Sequence, residues 1–352
     1  MKRILITPLN WGLGHATRCM PIINELLKQN AEVIIATDGR AFHLLSKEYP
    51  ELTILKLPPY DITYKSHNMM RNIAPQLPKI IKAIVTEHKA IQKIIKGYQI
   101  DAIISDNRFG CNSSQVYSVF ITHQLNIQIP SNLVQPQVNF FNKQFIQRFD
   151  ACWVPDFEIE KDSLSGNLSK NIGLKNLEYL GALTRMKYYE TSKKYDVLII
   201  LSGPEPQRTI LEEKLIEQAS RLPLKTLLIK GKTEEQNKTV EIGNLTIQNF
   251  MTTTELNEAI LASDVIVTRS GYSTIMDLVV LGKRAVLIPT PGQTEQEYLA
   301  KRFEEQGIYH LQEQNSIDLE HALLQVKNYS GYQLKKDERL KEVVEEFLNH
   351  LK

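Results

Sequence analysis

Short apolar runs, too brief for helices, alternate along this chain with longer stretches in which apolar residues recur every three or four positions. Arg3–Thr7 reads as a buried strand, and Thr17–Gln29, with Ile22, Ile23, Leu26 and Leu27, as a helix. Glu32–Thr37 is the next strand, a helix follows near Ala41–Lys47, and Thr53–Leu57 is a third strand. Pro75 and Pro78 interrupt the pattern, so the long helix beyond them is expected to start at Pro78 and end before Gly97. Asp101–Ser105 and Val116–Thr122 read as strands. The tract from Asp156 to Asn176 is polar and irregular, and a strand-like Leu177–Leu180 follows it.

The second half repeats the scheme. Asp196–Leu201 is a buried strand, Ser202–Arg208 a polar loop, and Thr209–Arg221 a helix. Leu224–Lys230 and Leu245–Gln248 are strands. Thr252–Thr254, with Glu255 close behind, reads as the N-terminal cap of the next helix. Val265–Thr268 is a strand, Ile275, Leu278, Val279 and Leu281 mark a helix that Gly282 stops, and Arg284–Pro289 is another strand. Lys335–Leu348 is a closing helix. Strands alternating with helices predict the α/β class, with parallel sheets and right-handed crossovers. We expect two Rossmann-like domains, residues 1–182 and 183–332, facing each other across a cleft, with 333–352 as a terminal helix. Ligands then belong at the carboxyl ends of both sheets.

A length of 352 residues suits two domains, and 42% hydrophobic residues with balanced charge describe a soluble globular protein. A net charge of +2 gives no argument for nucleic acid. Met1–Thr7 imitates the start of a signal peptide, but Pro8, Asn10 and Trp11 end it at once. No apolar run reaches the ~18 residues of a spanning helix. Three widely spaced cysteines, Cys19, Cys111 and Cys152, read as reduced thiols in a cytoplasmic protein and show no metal pattern.

The candidate chemistry sits at strand ends. In Arg269-Ser270-Gly271 the small residues, with Ser273, let backbone approach a ligand, and the helix that starts there aims free N–H groups at it, which suits a phosphate. Asp277, about two turns in, can accept hydrogen bonds from sugar hydroxyls. These residues point to a nucleotide sugar; a plain crossover with a tight turn is the alternative. Trp11–Thr17 starts like a dinucleotide fingerprint, but Thr17 replaces its third glycine and only Asp38 could serve the ribose, so NAD is not expected. Gly12 and Gly14 let backbone pass under an acceptor, and His15 can take a proton from a hydroxyl; a helix cap is the alternative. Asp106, at the end of a strand in the same sheet, could orient His15 as a carboxylate does in a triad. Arg208 can offer a phosphate its charged fork, with help from Gln207, or else pair with a nearby carboxylate. Arg185, at the hinge, could also reach phosphate. Lys79, Lys82, Lys89, Lys93 and Lys96 fall largely on one helix face and Ile80, Ile84, Ile91 and Ile95 on another, with Met69, Met70 and Ile73 ahead of them. Such a face is either solvated or laid on an anionic membrane.

The stretch from Asp264 to Glu297 resembles the nucleotide-binding half of GT-B glycosyltransferases, above all the family 28 N-acetylglucosaminyltransferases that form lipid II and the diacylglycerol glycosyltransferases. The family's Arg-Ser-Gly turn, Thr and ribose-binding acid correspond to Arg269, Ser270, Gly271, Thr274 and Asp277, and its sugar-holding Gln pair to Gln296-Glu297. Asp and Glu stand here in place of the family's Glu and second Gln. By the same resemblance, Phe250-Met251 would read the uracil edge, Gly14-His15 closes the acceptor loop, and His123-Gln124 lies on the acceptor side. Ser202-Gly203 begins the diphosphate loop, although Pro204, Glu205 and Pro206 depart from its glycine-rich pattern. The resemblance implies an inverting, metal-independent hexosyltransferase without cofactor that uses a UDP-sugar. It implies a lipid-linked or other envelope acceptor, action at the inner membrane face, and a terminal helix returning to the first domain. A same-fold epimerase or hydrolase, and a non-catalytic nucleotide-sugar-binding protein, are the competing expectations.

Overall fold

The parallel sheets follow from strands that are apolar on both faces, as sheets covered by helices on both sides require. The computed structural model describes all residues except 61–73, 130, 132, 159–161, 233–235, 237, 333–337 and 352. Met69, Met70 and Ile73 lie outside the described residues. The chain forms two compact units: residues 1–184 with 336–352, and residues 185–335.

In the first unit, β1 (Arg3–Pro8), β2 (Glu32–Thr37), β3 (Thr53–Lys56), β4 (Ala102–Asp106), β5 (Tyr117–Ile121), β6 (Ala151–Val154) and β7 (Leu177–Tyr179) make one sheet in the order β3-β2-β1-β4-β5-β6-β7. All its pairings are parallel. The chain reverses its direction of winding between β1 and β4, and the carboxyl ends of these two strands form the topological switch point. Pro8 pairs there with Asp106, and the Leu9 amide donates to the Asp106 carbonyl at 3.0 Å.

Helix α1 (Gly14–Lys28) leaves β1, α2 (Gly39–Glu48) leaves β2, and α3 (Leu77–Tyr98) leads into β4. In α3 the stripe Ile84, Glu87, Ile91 and Ile95 is buried, while Lys79, Lys82, Lys89, Lys93 and Lys96 are exposed. Helix α4 (Gln135–Ile146) and strand β6 had no counterpart in the sequence reading. Only Asn142 and Ile146 of α4 are buried, so that helix has no apolar stripe to read. The irregular tract after β6 is organised by one carboxylate. Asp156 is fully buried and accepts from the Phe157, Leu164 and Ser165 amides and from the hydroxyls of Ser163, Ser165 and Ser169, at 2.5–3.0 Å.

The second unit holds β8 (Tyr195–Ile200), β9 (Thr226–Ile229), β10 (Thr239–Ile242), β11 (Leu245–Gln248), β12 (Ser263–Thr268), β13 (Arg284–Leu287) and β14 (His310–Leu311), in the order β10-β11-β9-β8-β12-β13-β14. Only the β10–β11 hairpin is antiparallel among the described strands. Helices α5 (Gln207–Ala219), α6 (Thr253–Leu261), α7 (Tyr272–Leu281), α8 (Thr294–Glu305) and α9 (Leu319–Gln325) cover it. The expected cap of α6 is a full capping box: Thr252 accepts from the Glu255 amide, and Glu255 from the Thr252 amide.

The last helix, α10 (Arg339–His350), packs on the first unit. Phe347 meets Trp153 and Tyr117 with ring centroids 5.3 and 6.1 Å apart, and Arg339 donates to Glu178 at 2.7 Å.

Candidate active site

In the first unit the loop after β1 and the first turn of α1 stand over the end of β4. Helix α1 starts at Gly14 without a side-chain cap, so His15 is not a capping residue. Its Nδ1 instead lies 2.9 Å from Oδ1 of Asp106. The His15 side chain keeps 17% exposure, while Asp106 is sealed. Among the described residues no hydrogen bond reaches Nε2 of His15. Asn107, held at φ 56°, donates to Asp106 at 3.2 Å, and the Cys19 thiol approaches it at 3.6 Å. Arg18, which the sequence reading missed, closes on the same carboxylate, with Nε donating to Oδ2 at 2.5 Å and a second bond to Oδ1. Its helical spacing from His15 is the signal that could have found it. His123 joins the cluster: it is buried, with Nδ1 3.3 Å from Arg18.

Burial alone would raise the Asp106 pKa, but Arg18 and then His15 outweigh it and hold the carboxyl below its ordinary range. His15 is lowered, first by burial and then by Arg18 and His123, against the pull of Asp106. An ionised carboxylate only accepts, so the His15 contact puts the imidazole proton on Nδ1 and leaves the lone pair on Nε2. Gly12 sits at φ 84° with nothing near its Cβ position, and Gly14 forms the first turn of α1. Asp38 is committed elsewhere, accepting from buried Arg108 at 2.6 Å and from Asn10 at 3.1 Å. That engagement, rather than a ribose, accounts for it.

In the second unit the loops after β8, β12 and β13 converge on Arg269. This guanidinium is 1% exposed and donates to the carbonyls of Ile288, Pro289 and Gln207 and to the side-chain oxygen of Gln314, at 2.6–3.2 Å. All four acceptors are neutral, and burial pushes its pKa down to about 10. Among the described residues its Nε finds no hydrogen-bond partner, and neither do the hydroxyls of Thr268 and Thr290, all buried. A Cβ built on Gly203 would stand 3.5 Å from Thr290 Oγ1 and 3.8 Å from Arg269 Nε. Gly203, at φ 109°, therefore opens onto two of these orphaned groups. Thr268, Thr290 and Gln314 were not singled out in the sequence.

Gly271 adopts φ −68°, ψ 139°, which any residue accepts, and among the described residues no atom lies within 4 Å of its Cβ position. Neither conformation nor packing demands glycine there. It begins α7, and Thr274 and Asp277, one turn apart, are both half-buried. Ser270 donates to the Gln296 carbonyl at 2.8 Å.

Several expected donor-side residues also make contacts within the second unit. Arg208 is paired with Glu205 and Glu212, so its fork is taken by carboxylates. Gln207 accepts from Gln314 at 2.6 Å within the support of Arg269. The Gln296 side chain accepts from the Thr290 amide at 2.9 Å and Glu297 from the Gly292 amide at 2.8 Å, both shaping the loop after β13. Ser202 is exposed beside Gly203; Phe250 and Met251 are half-buried between β11 and α6, and Arg185 donates to Thr253 of α6 at 2.8 Å.

Comparison with known proteins identifies the class. Residues 202–350 match the glycosyltransferase family 28 C-terminal domain, and residues 2–157 match glycosyl transferase family 1. An uncharacterized glycosyltransferase of Methanosarcina mazei is 25% identical over 330 residues, covering 87% of this chain and 84% of that protein. The UDP-N-acetylglucosamine–N-acetylmuramyl-(pentapeptide) pyrophosphoryl-undecaprenol N-acetylglucosamine transferase of Alkaliphilus metalliredigens is 22% identical, covering 92% and 89%. Among solved structures, Acinetobacter baumannii MurG superposes with a TM-score of 0.59 at 13% identity, covering 99% of this chain and all of that one. The glycosyltransferase SnogD from Streptomyces nogalater gives 0.64 at 13% identity, with the same coverage. The fold and these matches together make this a glycosyltransferase of the GT-B class. Within that class the chain is MurG-like, and its second half matches the glycosyltransferase family 28 C-terminal domain.

Proposed function

We propose that this glycosyltransferase transfers a hexose or N-acetylhexosamine from a UDP-sugar to an acceptor hydroxyl with inversion, with His15 as general base. Residues 1–182 serve the acceptor in this reading, residues 183–332 the donor, and 333–352 the terminal helix. The observation that carries it is the 2.9 Å contact between His15 and Asp106, which leaves a basic nitrogen at a switch-point loop. The acceptor O–H gives its proton to Nε2. Its oxygen bonds to the anomeric carbon, the bond from that carbon to the diphosphate breaks, and UDP leaves. The uncompensated charge of Arg269, the orphaned Thr268 and Thr290 hydroxyls and the amides at the start of α7 supply stabilisation for the leaving diphosphate. Asp277 would hold the ribose, and the Phe250-Met251 backbone the uracil.

A lipid-linked acceptor is the finer part of the reading, supported by the names of the undecaprenol-dependent relatives. No helix among the described residues is long and apolar enough to cross a membrane. The first unit nevertheless exposes Phe140 and Phe141 at 59% and 60%, with Leu133 on the segment before them. Phe145 of the same helix joins one apolar cluster with Ile80, Ala83 and Ile84 of α3, the helix that also exposes Ile81, Val85 and the lysine face. Apolar side chains rimmed by lysines suit peripheral contact with an anionic bilayer at the inner face of the membrane.

His15→Ala tests the central claim. Transfer from UDP-N-acetylglucosamine should fall by roughly 10² to 10⁴ while UDP affinity stays near wild type. Collapse of UDP affinity with surviving turnover overturns the assignment. Sugar release at an unchanged rate without any acceptor would mark a hydrolase instead.

A further inference from the structure

Arg18 follows His15 by one helical turn, and both side chains leave α1 toward the end of β4. Arg18 is 2% exposed and its fork closes on both oxygens of Asp106. The same terminal nitrogen lies 2.9 Å from His15 Nδ1, and the other lies 3.3 Å from His123 Nδ1. Nδ1 of His15 therefore faces a carboxylate and a guanidinium together, and the two call for opposite tautomers. Facing the carboxylate it must carry a proton. Facing the guanidinium it would carry a lone pair, and Nε2 would then hold the proton and be useless as a base.

The carboxylate decides the tautomer. A lone pair at 2.9 Å from an anionic oxygen is repelled, whereas the Arg18 nitrogen already has an acceptor in Asp106. In a buried Asp–His pair without a cation the uncompensated carboxylate would draw a second proton onto the ring, because an opposite charge close by favours the imidazolium. A protonated ring cannot accept a proton from the acceptor. With Arg18 in place the charge of Asp106 is met before the imidazole titrates, and an imidazolium would stand against a neighbouring cation.

We propose that Arg18 is a positioning residue of the dyad, keeping His15 neutral with its proton on Nδ1 and its Nε2 lone pair open to the acceptor. This rests on the reading of His15 as the base. Among the described residues the ionisable groups of this cluster are Arg18 and Asp106, which contact the ring, Cys19, which contacts Asp106, and His123, which contacts Arg18. Burial raises the Cys19 thiol well above its ordinary range, so that group stays neutral.

The test is an NMR titration of the full chain with ¹⁵N-labelled histidine, assigned with His15→Gln and His123→Gln. Wild-type His15 should be the Nδ1–H tautomer and titrate below about 6.5. Arg18→Met should raise that midpoint by about one pH unit or more, and the acid limb of kcat/KM should move with it. Arg18→Lys keeps the charge without the fork and should restore most of the midpoint while leaving the rate reduced. A purely structural Arg18 predicts the opposite: Arg18→Met lowers the rate by one factor at every pH and leaves the midpoint unmoved, which overturns the proposal. If Arg18→Met does not fold, the wild-type spectrum decides, since an Nε2–H tautomer or a midpoint above about 6.5 overturns it equally. The titration needs no turnover, so its outcome stands apart from that of His15→Ala.

Discussion

Glu87 accepts a hydrogen bond from Nε of Arg108 at 2.5 Å, and neither side chain has any exposure. The same carboxylate accepts from the Tyr60 hydroxyl at 2.8 Å and from the Gly110 amide at 2.9 Å. The Arg108 fork continues to Asp38 and to the Pro58 carbonyl. Helix α3, which carries the lysine face, is thereby fastened to the loop that follows Asp106. Glu87→Gln leaves a buried guanidinium with one carboxylate in place of two. It should cost about 3 kcal/mol of stability, read as a lowered urea midpoint. An unchanged midpoint would mean the pair contributes nothing in solution.

Gly271→Ala separates folding from binding. The backbone angles suit alanine and the Cβ position is vacant, so the melting temperature should hold or rise slightly. A methyl group at the start of α7 should nonetheless weaken UDP binding by about tenfold or more, measured by calorimetry, because it keeps the diphosphate from the amides. Undiminished affinity would show that the nucleotide does not approach this turn.

Phe140→Ser with Phe141→Ser addresses the membrane. Both rings are largely exposed, so the double variant should melt as the wild type does. Its sedimentation with vesicles containing anionic lipid should fall severalfold, while neutral vesicles bind neither protein. Equal sedimentation of the two proteins would remove the lipid-contact reading.

The α/β class and most strands of both sheets were readable from apolar runs such as Ile4-Leu5-Ile6 and Val265–Thr268, because a strand buried on both faces needs no context to be recognised. Helix α4 was not readable, since its outward face carries Phe140 and Phe141 and its inward face little. The His15–Asp106 pairing was readable only as a possibility of strand order: 91 residues separate the two, and the switch point brings them together. Arg208 shows where sequence leaves a choice open. A lone arginine after prolines can serve an anion or a nearby carboxylate; Glu205, three positions back in the loop, and Glu212, one turn on in the helix that begins at Gln207, both pair with it. Arg269 looked like a ligand-contacting side chain in sequence. Its terminal nitrogens also tie the loops together, because a buried fork finds the nearest carbonyls.

That tie has an electrical consequence. A guanidinium enclosed by carbonyl oxygens is out of reach of dissolved counterions, so its field persists in concentrated salt where surface lysines are masked. A nucleotide drawn by it would hold on from dilute buffer to brine, whereas any grip of the lysine-faced helix on a bilayer would fade over the same range.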